Sequence, residues 1–322
     1  MNKVFVNQLK EKDTFSTPFM LSQLSRNHDK NGKAFLSLSI SDKSGSLNAM
    51  MWDNVETVSS SFEVGDVVFI KGHIQNYQNK LQAVIHNIKE ISKDSIDMQD
   101  YIKSSASSTE VMFAELQDIV ATLTDDYIKQ LIQNTLNTKE VQKRLLKFPA
   151  AKSIHHAYIG GLLEHTLSIC KIMEFMAKHY PFVKRDLLIF GAIYHDIGKL
   201  WELSIEKGFQ YTDRGRLVGH MQIACEMVDE QAALILGFPQ ELKDILKHII
   251  LSHHGRLEYG SPKRPKFIEA QIVAMIDDLD SKVNSMQGLL QEEVESSWTR
   301  YNSQFERYLY TEIYKKQTTT EE

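Results

Sequence analysis

Cysteine is scarce in this 322-residue chain: only Cys170 and Cys225 occur, each inside a helix-like apolar pattern. A disulfide framework and a cysteine-rich zinc site are thereby excluded, and both thiols are expected to behave as small core residues. Long hydrophobic runs are missing as well. The strongest, near Leu187 to Tyr194, falls far short of the ~20 apolar residues that a membrane span needs. The opening MNKVFVNQLKEKD meets charges too early to hold a secretory core, so the expected location is cytoplasmic and no membrane partner is expected. A large excess of one charge is absent too. The net charge of -5 gives no support to coating nucleic acid by bulk charge, although it leaves room for a local basic groove. What the chain does have is 42% hydrophobic residues, at a length suited to about two domains, which excludes a disordered or fibrous protein.

Two regions differ in pattern. Residues 1–91 alternate over short stretches broken by turn signals, which reads as all-β. Candidate strands are Phe19 to Ser25, Ala34 to Ser41, Ser46 to Trp52, Val67 to His73 and Leu81 to Ile91, with a short helix over Asn54 to Ser60. Five strands with a helix between the third and fourth is the element order of an OB barrel. Residues 92–109 are polar and serine-rich, as a linker is. From Glu110 apolar residues recur at spacings of three and four to about Tyr314, so residues 110–316 are expected to be all-helical. Pro149, Pro181, Pro239, Pro262 and Pro265 fall between the periodic segments. Residues 317–322 read as a frayed tail. The expected architecture is thus multidomain: an N-terminal five-stranded OB barrel plus a C-terminal all-α bundle.

Nine of the twelve histidines lie after residue 154. They recur beside acidic residues or each other in GGLLEHT (His165), AIYHDIGK (His195, Asp196), VGHMQIA (His220) and LSHHG (His253, His254), with AMIDDLDS (Asp277) further on. A lone histidine is most simply a hydrogen-bonded core side chain. The whole set in order points instead to metal. Imidazole and carboxylate without thiolate suit manganese, iron, magnesium or catalytic zinc better than structural zinc. Asp196 is the natural bridging ligand, because its two oxygens can reach two cations ~3.5–4 Å apart.

The series H…HD…H…HH…D, with HDIGK intact, resembles the HD-domain metal-dependent phosphohydrolases over about Ser153 to Asp280. With the barrel and the segment AAKSIHHAYIGGLLEHT added, the whole chain resembles the YhaM-type 3′-to-5′ exoribonucleases. The resemblance implies His165, His195, Asp196 and Asp277 around one divalent ion, manganese being favoured. Around a second it implies Asp196, His220, His253 and His254. Asp278 or Asp280 replaces Asp277 if the register is displaced. His155 and His156 resemble substrate-side residues of the family, an exposed helix start being the plainer reading.

Lys199, three residues beyond Asp196, would share its helical face and hold a phosphate oxygen or transition-state charge; a lysine complementing a helix dipole is the alternative. Arg256, Lys263, Arg264 and Lys266 follow the paired histidines, and Arg214 and Arg216 precede His220, where they could guide a polyanion. A solvated loop is the plainer reading. In the barrel, Phe35, Trp52 and Tyr77 could stack bases while Lys33, Lys71 and Lys80 track phosphates, though core packing weighs more for each aromatic.

The leading functional expectation is a metal-dependent 3′-to-5′ exonuclease of single-stranded RNA, with single-stranded DNA a further candidate. The polarity and the nucleoside 5′-monophosphate product come from the resemblance alone. A phosphodiesterase of a small nucleotide and a non-catalytic nucleic-acid-binding adaptor are the competing readings. Self-association into a homo-oligomer is left open.

Overall fold

The computed structural model describes residues 3–78, 80–92, 96–101, 105, 107–151, 156, 158–205, 208–292 and 296–315. Strands β1 (Thr14–His28), β2 (Ala34–Asp42), β3 (Gly45–Met51), β4 (Val67–Tyr77) and β5 (Lys80–Glu90) close a barrel in the order β1-β2-β3-β5-β4. The β3–β5 pair is parallel and the others are antiparallel. Alternation decides which side chains enter: Leu36, Leu38 and Ile40 from β2 meet Leu47, Ala49 and Met51 from β3 in the core. Helix α1 (Val55–Ser61) plugs the barrel with Val55 and Val58.

All five expected strands are present. The first and fourth run longer than the alternation suggested, to 15 and 11 residues. A register shift between Leu21 and Gln23 bends β1 so that its first half pairs with β4 and its second with β2, and that bend breaks the simple alternation.

The remainder is built on helices α2 (Thr109–Ala121), α3 (Asp126–Leu136), α4 (Lys139–Leu145), α5 (Gly161–His179), α6 (Arg185–Tyr194) and α7 (Lys199–Glu202). After the short strands β6 (Leu203–Ser204) and β7 (Gln210–Tyr211) come α8 (Asp213–Leu217), α9 (His220–Ala233), α10 (Gln240–Ser252), α11 (Ile268–Glu292) and α12 (Glu312–Lys315). Helix α6 is central and buried along its length from Asp186 to Tyr194, so it shows a continuous apolar run instead of a stripe. Asp186 ties it to the α2–α3 turn by accepting from the backbone N–H groups of Thr124 and Asp125.

The helical region carries two short non-helical parts among the described residues: β6 and β7 pair antiparallel, and between α11 and α12 Trp298 bridges Tyr310 and Asn302 bridges Arg307.

The hairpin is also where the two regions touch. Gln210 Nε2 donates to Val64 O at 3.1 Å, and Phe209 and Ile159 pack around Met20 with Val67. Among the described residues no helix is long and apolar enough to cross a membrane.

Candidate metal centre

The site forms where four helix ends and the middle of α11 converge. His165 lies in the first turns of α5, His195 caps the C-terminus of α6, His220 opens α9, and His253 caps the C-terminus of α10. Asp277 sits mid-helix in α11. Two glycines permit the approach. A Cβ on Gly198 would lie 2.0 Å from His220 O, so the turn after Asp196 can press against the start of α9 only without a side chain. A Cβ on Gly191 would lie 2.4 Å from Val273, so α11 can bring Asp277 against α6.

Each of five imidazoles is oriented through Nδ1. His195 Nδ1 lies 3.1 Å from the carbonyls of Gly191 and Ala192. His253 Nδ1 is 2.6 Å from Ile250 O and His254 Nδ1 2.9 Å from Tyr259 O. His165 Nδ1 is 2.7 Å from Asp280 Oδ2, and His220 Nδ1 3.0 Å from Glu202 Oε1. Carbonyl and carboxylate oxygens only accept, so Nδ1 carries the proton in every ring, and the inward-turned Nε2 presents a lone pair wherever the ring is neutral.

These lone pairs gather in two groups on either side of Asp196. His165, His195, Asp196 and Asp277 offer ligand atoms within 4.8 Å of one another, as do His220, His253 and His254. His165 Nε2 is 3.2 Å from His195 Nε2 and 3.3 Å from Asp277 Oδ1. Asp196 Oδ2 is 3.4 Å from His195 Nε2, whereas its Oδ1 is 3.5 Å from His220 Nε2 and 3.8 Å from His253 Nε2. Among the described residues, Asp196 Oδ1, His220 Nε2 and His253 Nε2 are buried without a hydrogen-bond partner. Converging acceptors of this kind are costly to bury, and a cation between them removes the cost. The residues therefore fit divalent metal.

The electrostatics agree. Burial would raise the Asp196 carboxyl, but Lys199 and His195 outweigh it and hold the group well below the usual carboxylate range. Burial likewise opposes the charge on Asp277, yet the bond to His165 and the charge of His195 hold it low. His253 is pushed down by burial and by His254 and His195, which keeps its ring neutral. Burial lowers His165 too, but Asp277 and Asp280 outweigh it and push its pKa up to about 9. Positive charge is thus favoured between these carboxylates, and a metal supplies it without a proton.

Some expected residues sit differently from the sequence reading. Asp196 and Lys199 do not share a helical face, since Asp196 lies in the turn between α6 and α7 and Lys199 begins α7. The dipole reading of Lys199 fails for the same reason: it stands at a helix start. The turn still brings Lys199 Nζ to 2.6 Å from Asp196 Oδ2. His156 is buried, not part of an exposed helix start; its Nε2 reaches Asp280 Oδ2 at 3.1 Å and its Nδ1 the Tyr158 hydroxyl at 2.8 Å. His155 lies outside the described residues. Asp278 is exposed and paired with Lys282, whereas Asp277 faces His165 Nε2 and Asp280 faces His165 Nδ1.

The basic residues lie at the surface. Arg214 pairs with Glu226 at 2.5 Å, Arg216 is exposed in α8, Arg256 leans on the Tyr259 ring, and Arg264 approaches Glu258 at 4.0 Å. Lys263 and Lys266 are exposed, their backbone N–H groups bonded to Leu251 O and His248 Nε2. None of these is in the histidine groups. Glu202 was not flagged by the sequence, where it looks like one more charged residue of KLWE.

On the barrel, core packing is overturned for the aromatics. Trp52 is 37% exposed and Tyr77 56%, while Phe35 is half-buried with its ring 4.8 Å from that of Trp52. Phe35 alternates with inward-facing Leu36, and Trp52 follows inward-facing Met51, so both face out. Lys33, Lys71 and Lys80 are exposed.

Comparison with known proteins accords with this arrangement. Residues 162–282 match the HD domain family and residues 21–91 the OB-fold nucleic acid binding domain family. A Listeria monocytogenes protein named 3′-5′ exoribonuclease YhaM is 36% identical over 261 residues, covering 81% of this chain and 82% of its own. The chain belongs to the YhaM family. A Geobacillus member bearing the same name is 34% identical over 275 residues, 84% of this chain and 83% of its own. Membership in the YhaM family makes the protein a hydrolytic enzyme, and the HD match covers His165, His195, Asp196, His220, His253, His254 and Asp277 together.

Proposed function

We propose that this protein is a metal-dependent 3′-to-5′ exoribonuclease that degrades single-stranded RNA, with single-stranded DNA as a second substrate, to nucleoside 5′-monophosphates. The observation that carries the reading is the carboxylate of Asp196, each oxygen of which faces a different group of inward-turned imidazoles. His165, His195, Asp196 and Asp277 hold one divalent ion, and Asp196, His220, His253 and His254 a second. Nitrogen and oxygen donors without sulfur favour manganese, with iron, magnesium and zinc as competitors. A bound pair of such ions lowers the pKa of water and offsets charge on a phosphodiester.

The protein's own groups do the rest. Backbone carbonyls, Asp280 and Glu202 keep every Nε2 lone pair aimed inward. Lys199, beside Asp196, offers an ammonium to a phosphate oxygen. Arg256, Lys263 and Arg264, on the loop after His254, and Arg214 and Arg216, before His220, attract the polyanion from the rim, and His156 is a substrate-side residue. The barrel over residues 1–91 holds the strand on Phe35, Trp52 and Tyr77 with Lys71 at its phosphates, and residues 92–109 join it to the hydrolytic region over 110–316. The substrate places the enzyme in the cytoplasm.

Digestion of a 5′-labelled oligoribonucleotide in the presence of each divalent cation tests the proposal. Progressive shortening from the 3′ end with mononucleotide release supports it. Early release of the labelled nucleotide reverses the direction, and hydrolysis of small phosphodiesters without RNA moves the assignment to a small-nucleotide phosphodiesterase.

A further inference from the structure

His165 is held between two carboxylates that stand about one turn apart on α11. Its Nε2 lies 3.3 Å from Asp277 Oδ1 and its Nδ1 2.7 Å from Asp280 Oδ2. Asp277, Asp280 and Asn284 fall on one face of α11, and on α5 Ser168 follows His165 by three residues, so the two faces meet. Residue type and spacing leave either carboxylate able to meet an ion. What separates them is the set of donors each one accepts from.

Asp280 is engaged by the protein through both oxygens. Its Oδ1 accepts from the Ser168 hydroxyl at 2.5 Å, and its Oδ2, besides His165 Nδ1, accepts from His156 Nε2 at 3.1 Å. A carboxylate only accepts, so both rings present an N–H to it. On Asp277 the Ser281 hydroxyl stands further off, at 3.4 Å from Oδ1, and the Nε2 atoms of His165 and His195 lie at 3.3 and 3.7 Å. Asp280 is thus tied to protein donors, whereas Asp277 turns to the ring nitrogens that converge with Asp196.

His156 is itself held in an unfavourable conformation. Its φ of 45° is left-handed, a region that a residue with a side chain rarely occupies unless its surroundings enforce it. Here Asn284 Oδ1 accepts from its backbone N–H at 2.9 Å, its carbonyl accepts from the Ala150 N–H at 3.1 Å, and the Tyr158 hydroxyl meets its Nδ1 at 2.8 Å. A Cβ on Gly161 would come within 1.9 Å of that carbonyl, so α5 can start against it only without a side chain there. A side chain that merely fills space needs none of this. The outcome of the arrangement is a ring nitrogen fixed on Asp280.

We propose that Ser168 and Asn284 are positioning residues for the ion held by His165, His195, Asp196 and Asp277. Ser168 acts on Asp280 directly, and Asn284 acts on it through His156. Together they keep Asp280 turned to His165 Nδ1 and leave Asp277 as the carboxylate that meets the ion. These roles rest on the two-ion reading proposed above.

Equilibrium dialysis of the full chain against manganese tests this in two backgrounds that each keep one ion. In His220→Ala, which keeps the ion at Asp277, adding Ser168→Ala should weaken binding about 10- to 100-fold, the usual effect of removing an orienting partner. Ser168→Thr, which restores the hydroxyl, should recover most of that loss. In Asp277→Ala, which keeps the other ion, adding Ser168→Ala should leave the affinity unchanged. A loss of equal size in both backgrounds would mean a general structural role and overturns the proposal, as does no loss in the first. A wild-type protein that binds no manganese overturns the two-ion reading and these roles with it, whereas two ions bound equally well by wild type and Ser168→Ala sink the roles alone. If Ser168→Ala does not fold, Asn284→Ala in the same two backgrounds decides, with a loss expected in the first and none in the second.

Discussion

Glu202 holds His220 through a single oxygen: its Oε1 lies 3.0 Å from both the backbone nitrogen and Nδ1 of that histidine. The backbone bond satisfies an N–H at the start of α9, and the ring bond fixes which nitrogen turns toward Asp196. Burial works against the Glu202 charge, but the two bonds from His220 and its charge keep the carboxyl below its ordinary value. Removing such an orienting partner from a metal ligand typically costs about 10- to 100-fold in affinity. Glu202→Ala should therefore weaken metal binding by about that factor, and Glu202→Gln, which keeps an acceptor oxygen, should recover part of it. Equilibrium dialysis against manganese measures both.

Asp196→Asn is expected to reduce hydrolysis to background and metal content with it. An amide keeps one oxygen where the carboxylate serves two imidazole groups, and it leaves Lys199 without its ionic partner. Elemental analysis beside an activity assay checks the coupling; normal turnover by a folded variant would remove the bridging role.

Asp277 and Asp278 should separate cleanly. Asp277→Ala deletes a carboxylate 3.3 Å from His165 Nε2, whereas Asp278→Ala deletes an exposed partner of Lys282 worth a few tenths of a kcal/mol, about 0.3–0.5. Loss of metal in the first variant and near-normal metal and melting temperature in the second is the expected pattern.

Chelation should lower the thermal transition of the helical region. A metal present at 100 times its dissociation constant adds about 2.7 kcal/mol to stability. At roughly 2–4 °C per kcal/mol for a region of this size, that is a downward shift of about 5–11 °C. Differential scanning calorimetry with and without chelator reads it, and no shift would mean that the clustered imidazoles bind no ion.

Trp52→Ala should raise the RNA concentration needed for half-maximal rate about 5- to 150-fold, from a stacking contribution of ~1–3 kcal/mol per base. Hydrolysis of a small phosphodiester should not change, because Trp52 lies on the barrel while all the clustered imidazoles lie in the helical region. Equal losses on both substrates would place the tryptophan in a structural role.

Much of this was legible in the residues themselves. Barrel strands announce themselves because a half-buried strand alternates with period two, and HDIGK stood out because the type and order of its ligands carry chemistry wherever they fold. What one dimension could not supply was direction in space. Asp280 was readable as a spare ligand, but only the packing of α11 on α5 turns it to His165 Nδ1 and leaves Asp277 facing Nε2. Lys199 reaches Asp196 through a turn that helical periodicity does not describe. The outward stacking of Phe35 on Trp52 depends on the phase of two strands, where a shift of one residue reverses the face. Composition and spacing determined which groups the protein owns; tertiary packing decided which atoms of those groups meet, because lone pairs and ring faces acquire directions only when the backbone around them is fixed.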